Sequence, residues 1–169
     1  MTETDTCRER LAKFCVGTVL EIGHGGGRPI VDHAICLDRA IDDPRRAACG
    51  EHPTHLVGDA FGTLPFKDGV MDTVYSSHVL EDSFAPHDTL LEWLRVLKVG
   101  GRMVLFLPDQ RTYERYCFAA GQEPNHAHVF CDFGLEFVKA RLPAGVKIVH
   151  EQFPVPGNPY SFDLVVEKL

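Results

Sequence analysis

Apolar positions alternate with polar ones in a pattern that predicts short buried strands separated by amphipathic helices. Residues 18–22 form a β-branched apolar run, and Ala34 to Leu37 forms a second. Further runs at 55–57, Met71 to Tyr75 and Arg102 to Leu107 bring the core strands to five. Helical spacing is clearest from Pro86 to Leu97, where Leu90, Leu91, Leu94 and Leu97 share a face and Gly100-Gly101 end it. A leading helix is predicted from Thr4 to Phe14, with Leu11, Phe14 and Cys15 on its apolar face. A short one starts at Asp43-Pro44, the proline in the first helical position. Two more are predicted at Arg111 to Ala120 and Asp132 to Leu142, the latter with Phe133, Phe137 and Val138 inward. Val146 to Phe153 and Ser161 to Glu167 read as two last strands, paired antiparallel across the rigid connection PVPGNPY.

Alternating strands and helices predict an α/β fold: a doubly wound, mostly parallel seven-stranded sheet with a C-terminal antiparallel hairpin. Residues 1–169 are expected to form a single domain. Ligands in such sheets bind outside the carboxyl ends of the strands. Two signals fall there. Glycines 23, 25, 26 and 27 follow the first strand, where the chain can turn sharply and a ligand can lie against the main chain. Asp38 ends the second strand, placed to accept two hydrogen bonds from a ribose diol.

Composition narrows the function. The net charge is −7 and no Lys/Arg run exceeds Arg45-Arg46, so no nucleic-acid partner is expected. The N-terminal ten residues are polar, with no apolar core of a secretory signal, and no apolar run approaches 18 residues; a cytoplasmic protein with no membrane partner is expected. The six cysteines show no C-x-x-C pairing, which fits reduced thiols.

The glycine stretch resembles motif I of the class I S-adenosylmethionine (SAM) dependent methyltransferases, Glu/Asp-x-Gly-x-Gly-x-Gly, through Glu21, Gly23, Gly25 and Gly27. A nicotinamide fingerprint fits less well, because its third glycine would fall on Arg28. More pieces follow in family order. Asp38 matches the acid that binds the ribose. Gly58-Asp59-Ala60 with Leu64-Pro65-Phe66 matches the piece that reads adenine, Asp59 accepting from the amino group and the Ala60 N–H donating to the ring. Asp72, Val74 and then Ser76-Ser77-His78-Val79-Leu80-Glu81 match the strand that runs past the methionine end. Leu94 to Arg102 matches the helix-to-strand turn usually written Leu-Lys-Pro-Gly-Gly. There are three departures. The connection from Glu21 to Asp38 is short and carries Pro29, so its helix is short or missing. Val99 replaces the common proline. Asp82 stands where a histidine often follows Glu81.

The resemblance implies a SAM-dependent methyltransferase acting on an oxygen or nitrogen of a small molecule or glycan-type metabolite. The alternative is a SAM-binding regulatory or scaffold subunit without catalysis. The implied cofactor contacts are Glu21, Gly23, His24, Gly25, Gly27, Asp38, Asp59, Ala60 and Ser76. Candidate bases for the acceptor's proton are His126, His128 and His78, because histidine titrates near neutral pH. Alternate spacing in Asn125-His126-Ala127-His128 would point both histidines to one side of an extended segment. Tyr113 and Tyr116 either line the acceptor pocket or only close the sheet. Cys117, His126, His128 and Cys131 have zinc-ligand chemistry, but their spacing matches no common knuckle, and no metal is expected. Only residues 110–130 could serve as a lid, so a homodimer or partner subunit completing the acceptor pocket is also expected.

Overall fold

A computed structural model describes residues 2–39 and 56–169. The helix expected at Asp43-Pro44 and the first residue of the third strand, His55, lie outside the described residues. Helix α1 (Glu3–Leu11) opens the chain and runs on as a 3₁₀ turn, Ala12–Phe14. Strands β1 (Val19–Ile22), β2 (Ile35–Asp38), β3 (Leu56–Val57) and β4 (Met71–Ser77) follow. After a 3₁₀ turn at Leu80–Asp82 come helix α2 (Pro86–Val96), strand β5 (Leu97–Pro108), helices α3 (Gln110–Ala119) and α4 (Leu135–Lys139), and strands β6 (Val146–Gln152) and β7 (Ser161–Lys168).

The seven strands form one sheet in the order β3-β2-β1-β4-β5-β7-β6. The first five are parallel, and β7 runs antiparallel to both β5 and β6. The predicted doubly wound fold with its end hairpin is therefore present. Strand alternation sorts the core into two faces. Met103, Leu105 and Leu107 of β5 pack with Leu20, Ile22, Trp93 of α2 and Phe137 of α4. Val104 and Phe106 pack with Val19, Tyr75 and the α1 residues Cys7 and Leu11 on the other side.

Some boundaries differ from expectation, each for a local reason. No helix joins β1 to β2; the chain passes through turns and bends, as Pro29 and the short spacing required. The glycine pair after α2 does not interrupt the chain before β5, because β5 begins at Leu97. Leu97 already pairs with Met71, and the register shifts before Arg102 pairs with Thr73. A Cβ on Gly101 would lie 2.9 Å from the Lys98 carbonyl oxygen and 3.1 Å from that of Asp72, so only glycine lets the strand turn in against β4. Helix α4 is half its expected length, with the extended Gly134 preceding it and no side-chain cap. On α1 the buried face is Thr4, Cys7 and Leu11, and Phe14 stays half exposed against His150.

Helix α1 is held by long-range contacts rather than by an apolar stripe. Thr2 and Asp5 form a capping box. Arg10 places its guanidinium on the fully buried Asp163 of β7, with Nε 3.0 Å from Oδ2. Arg8 donates to the backbone carbonyls of Arg28 and Pro29. The start of the chain is thereby drawn over the glycine turn.

Candidate functional site

A cavity of about 420 Å³ opens at the carboxyl ends of β1, β2 and β4, beside the turn that follows β3. The strand order reverses at β1 and β4, where doubly wound sheets bind ligands. One wall is backbone. Gly23 leaves β1 with φ +76° and donates from N to the Leu37 carbonyl at 2.9 Å. A Cβ there would lie 2.0 Å from Val79 Cγ2, so the position admits only glycine. Gly25, with φ +65°, donates its N–H to Asp38 Oδ2, and Oδ1 of the same carboxylate accepts from Arg39 N at 2.7 Å. Asp38 therefore fastens the glycine turn to β2. A carboxylate has about four lone-pair sites, so it keeps acceptor capacity facing the cavity.

Gly23, His24, Gly25, Asp38 and Ala60 all line the cavity. Four other residues implied by the resemblance do not. Glu21 is buried, and its Oε2 accepts from Ile30 N at 2.7 Å, which closes the loop behind the wall. Gly27 makes room for the start of the chain, since a Cβ there would meet Thr2 Cγ2 at 2.4 Å. Asp59 points to solvent; its Oδ1 accepts from Phe61 N at 3.0 Å and shapes the turn that presents Ala60 and Phe61. Ser76 is fully buried and donates to the Ile22 carbonyl at 3.1 Å, so Ser77, one residue on, faces the cavity instead. Trp93 Nε1 donates to the Ala60 carbonyl at 2.9 Å and fixes that turn on α2.

The three candidate bases separate. His78 alone lines the cavity. It has a left-handed backbone, φ +51°, which is uncommon outside glycine and concentrates at functional sites. Its Nε2 sits 3.1 Å from Ser161 Oγ and its ring packs on Phe106 and Tyr160. Its Nδ1 is 3.6 Å from Oε1 of Glu81, which is itself 3.8 Å from His128 Nε2. Burial, with a smaller contribution from His128, pushes the His78 pKa down to about 3, whereas burial raises Glu81 well above the carboxylate range.

His126 and His128 do not share a side. His126 is 87% exposed beside Glu123, while the His128 side chain is buried against Gln110 and Tyr113. A turn at 126–127, in which Asn125 Oδ1 accepts from Ala127 N at 3.1 Å, replaces the extended segment that the alternation assumed. The zinc-type quartet is not assembled either, since Cys117 is buried in α3 while Cys131 and His126 are exposed. Among the described residues the metal-type side chains that meet are Glu21, His24 and Cys36. Tyr113 and Tyr116 both pack on Tyr160, with ring centroids 5.3 and 4.9 Å away.

Sequence reasoning missed a whole wall. Thr2, Glu3 and Thr4 line the cavity from α1, joined by Phe61, Ser77, Val79 and Asp82. Glu3 is held there by Tyr160 Oη, which donates to Oε1 at 3.3 Å, and by Asn158 Nδ2 at 3.4 Å. Burial raises the pKa of Glu3, and also that of Asp82, which Arg39 partly offsets. Nothing in local spacing signals that residues 2–4 meet residues 158–160. The only hint was the capping box, which marks where α1 starts.

A family profile described as "Methyltransferase domain" matches residues 20–105, which is just over half of the chain and runs from β1 into β5. The chain belongs to this family, the class I SAM-dependent methyltransferases. A tRNA U34 carboxymethyltransferase of Shewanella denitrificans is 32% identical over 114 residues, 58% of this chain. The chain spans only about a third of that relative's length (33%). A protein of Pyrococcus horikoshii OT3 shares the fold with TM-score 0.72 at 21% identity, covering 98% of this chain and 89% of its own. The N-methyltransferase NodS of Bradyrhizobium japonicum WM9, solved with S-adenosyl-L-homocysteine (SAH), superposes with TM-score 0.62 at 18% identity, covering 98% of this chain and 85% of its own.

The family's methyl donor is SAM, and the cavity fits it. The volume lies within the roughly 300–1,000 Å³ of small-molecule sites. Gly23 and Gly25 leave the wall free of side chains, and Asp38 presents acceptor oxygens. Ser77 Oγ and Asp82 Oδ1 are buried in the wall without a hydrogen-bond partner among the described residues. No helix of the described residues is long and apolar enough to cross a membrane.

Proposed function

We propose that the chain transfers the methyl group of SAM to an oxygen or nitrogen of a small molecule or glycan-type metabolite. The observation that carries this reading is one cavity with two unlike ends: a glycine wall with Asp38, Ala60 and Phe61, and a titratable end with Glu3, His78 and Asp82. Asp38 would hold the ribose diol, and the Ala60 amide with the Phe61 ring would flank the adenine. SAM, when bound, supplies an electrophilic methyl on a positively charged sulfur. The protein's task is alignment of donor and acceptor, because an in-line displacement gains most from positioning. His78 is the lining imidazole at the titratable end. Burial holds it neutral and makes it a far weaker base than a free imidazole, so its role is to accept a hydrogen bond from the acceptor's O–H or N–H and orient it, the proton leaving to solvent. The family match ends at residue 105, so the acceptor side is built from α1 and from residues beyond it, including the Tyr113, Tyr116 and Tyr160 cluster. A homodimer or partner subunit completing that side belongs to the same reading.

The curated relative is named for tRNA, which makes an RNA acceptor the second reading. The net charge of −7 weighs against it, since RNA binding draws on cationic surface. Radiolabelled methyl transfer to a panel of small hydroxyl and amine compounds, glycans and tRNA tests the proposal. Label in the small-molecule or glycan arm supports it, and label in tRNA alone overturns it. Binding of SAM and SAH without transfer to any acceptor favours the scaffold alternative.

A further inference from the structure

The titratable end of the cavity is acidic and incompletely paired. Its carboxylates are Glu3, Asp38 and Asp82. Asp38 is engaged by two backbone amides. Among the described residues, Asp82 Oδ1 is buried with no hydrogen-bond partner, as is the Oγ of Ser77, a side chain that is nine-tenths buried. Buried polar atoms are nearly always satisfied, so two such atoms in one cavity wall point to groups supplied by a ligand. Among the described residues the lining cation is Arg39, whose side chain is 69% exposed and lies over the Phe61 ring toward Asp59. Behind the wall, Glu81 adds a further carboxyl group with a buried, unpartnered Oε2.

We infer that Glu3, Ser77 and Asp82 make this cavity charge-selective, favouring the positively charged donor SAM over its neutral demethylated product SAH. The inference rests on the methyltransferase reading. SAM and SAH share adenine, ribose and amino-acid tail, and differ by one methyl group and one positive charge. A wall of carboxyl groups therefore distinguishes them where the glycine wall does not. It also eases product release, since the product has lost the charge that helped to hold the donor. Asp82 is the residue at which this chain departs from the histidine usual after Glu81.

The selectivity carries a pH signature. Burial raises the pKa of both Glu3 and Asp82, so each keeps its proton above the ordinary carboxylate range. The groups facing Asp82 are Arg39 and Glu81; those facing Glu3 are His78, Glu81, Tyr113, Tyr160 and Asn158, with His128 behind His78. A cation arriving within about 4–6 Å of a carboxyl group lowers its pKa by roughly 1–3 units. SAM therefore binds the ionised form more tightly and expels protons. Its affinity rises with pH through the raised carboxyl pKa values, and that of SAH does not.

Isothermal titration with SAM and with SAH between pH 4.5 and 8, in buffers of different ionisation enthalpy, tests this directly. The expected result is proton release with SAM only, and a SAM-to-SAH affinity ratio that grows about tenfold across the range, the equivalent of a one-unit pKa shift. Asp82→Asn and Glu3→Gln, checked for folding by circular dichroism, should each flatten that slope. The pH series on the unaltered protein stands even if a variant fails to fold. Binding of both ligands with a pH-independent ratio overturns the inference alone. Binding of neither overturns it together with the reading on which it rests.

Discussion

The two walls of the cavity are built by opposite means. The wall between β1 and β2 is local: one turn of glycines, one aspartate and the amides between them, all within residues 21–39. The facing wall is assembled from distant parts. Glu3 comes from the start of the chain, Ser77, His78 and Asp82 from the middle, and Tyr160 and Ser161 from near its end. The first wall presents backbone that few side chains can change. The second presents titratable side chains that the fold gathers from distant parts. On the proposed reading, the first holds the shared cofactor and the second meets the acceptor.

Substitutions should separate the walls. The largest effect is expected at His78. Single-turnover transfer by His78→Ala should fall about 10²-fold, the cost of a misplaced acceptor, while SAM affinity measured on the same sample changes little. Because His78 stays neutral down to about pH 3, turnover should show no histidine step near 6.5, where an unperturbed imidazole titrates. A clear rise through 6.5 would transfer the role to another group. His126→Ala, exposed and remote from the cavity lining, should leave the rate unaltered.

Next in size is the backbone wall. Gly23→Ala places a Cβ 2.0 Å from Val79 Cγ2 at a left-handed position. It should lower stability by roughly 1–3 kcal/mol from backbone strain alone and abolish tight SAM binding, as read by thermal melting and calorimetry. Asp38→Ala frees the Gly25 and Arg39 amides that Asp38 holds and, on the proposed reading, removes two charge-assisted hydrogen bonds to the ribose, each worth about 1.5–3 kcal/mol. SAM and SAH affinity should both drop by at least about tenfold, and a loss confined to one ligand would argue against this placement.

An effect on stability alone, with none on transfer, belongs to Glu81. Its pKa is raised by burial, so the folded protein keeps a proton that the unfolded chain releases near 4.5. Stability from this group is present below that pH and is lost as pH rises toward the folded pKa, at up to about 1.4 kcal/mol per unit. Glu81→Gln has no such proton to lose. Melting curves at pH 5 and pH 8 should show the variant gaining on the parent at the higher pH; equal shifts at both would mean that Glu81 is ionised when folded.

What was legible in the sequence follows the same division. Strands β1, β2, β4 and β7 were recoverable because each is a short apolar run whose neighbours in the sheet repeat the pattern. Gly23, Gly25 and Asp38 come together on the cavity lining because the turn that joins them is local. The resemblance marks the stretch 76–81 but not its rotation: in the sheet, Ser76 turns to the Ile22 carbonyl and Ser77 lines the cavity. His126 and His128 part because a turn breaks the alternation that would put them on one side. The α1 wall was invisible, since the contacts of Glu3 with Asn158 and Tyr160 span more than 150 residues.

On the proposed reading, SAM lies in the cavity between the glycine turn and Ala60. Isothermal titration of the unaltered protein and of Asp38→Ala with SAM, SAH and NAD tests that placement. Saturable binding of SAM and SAH, no binding of NAD, and at least about a tenfold loss for both nucleosides in the variant are expected. Binding of NAD in preference to SAM, or SAM affinity unchanged by Asp38→Ala, would contradict it.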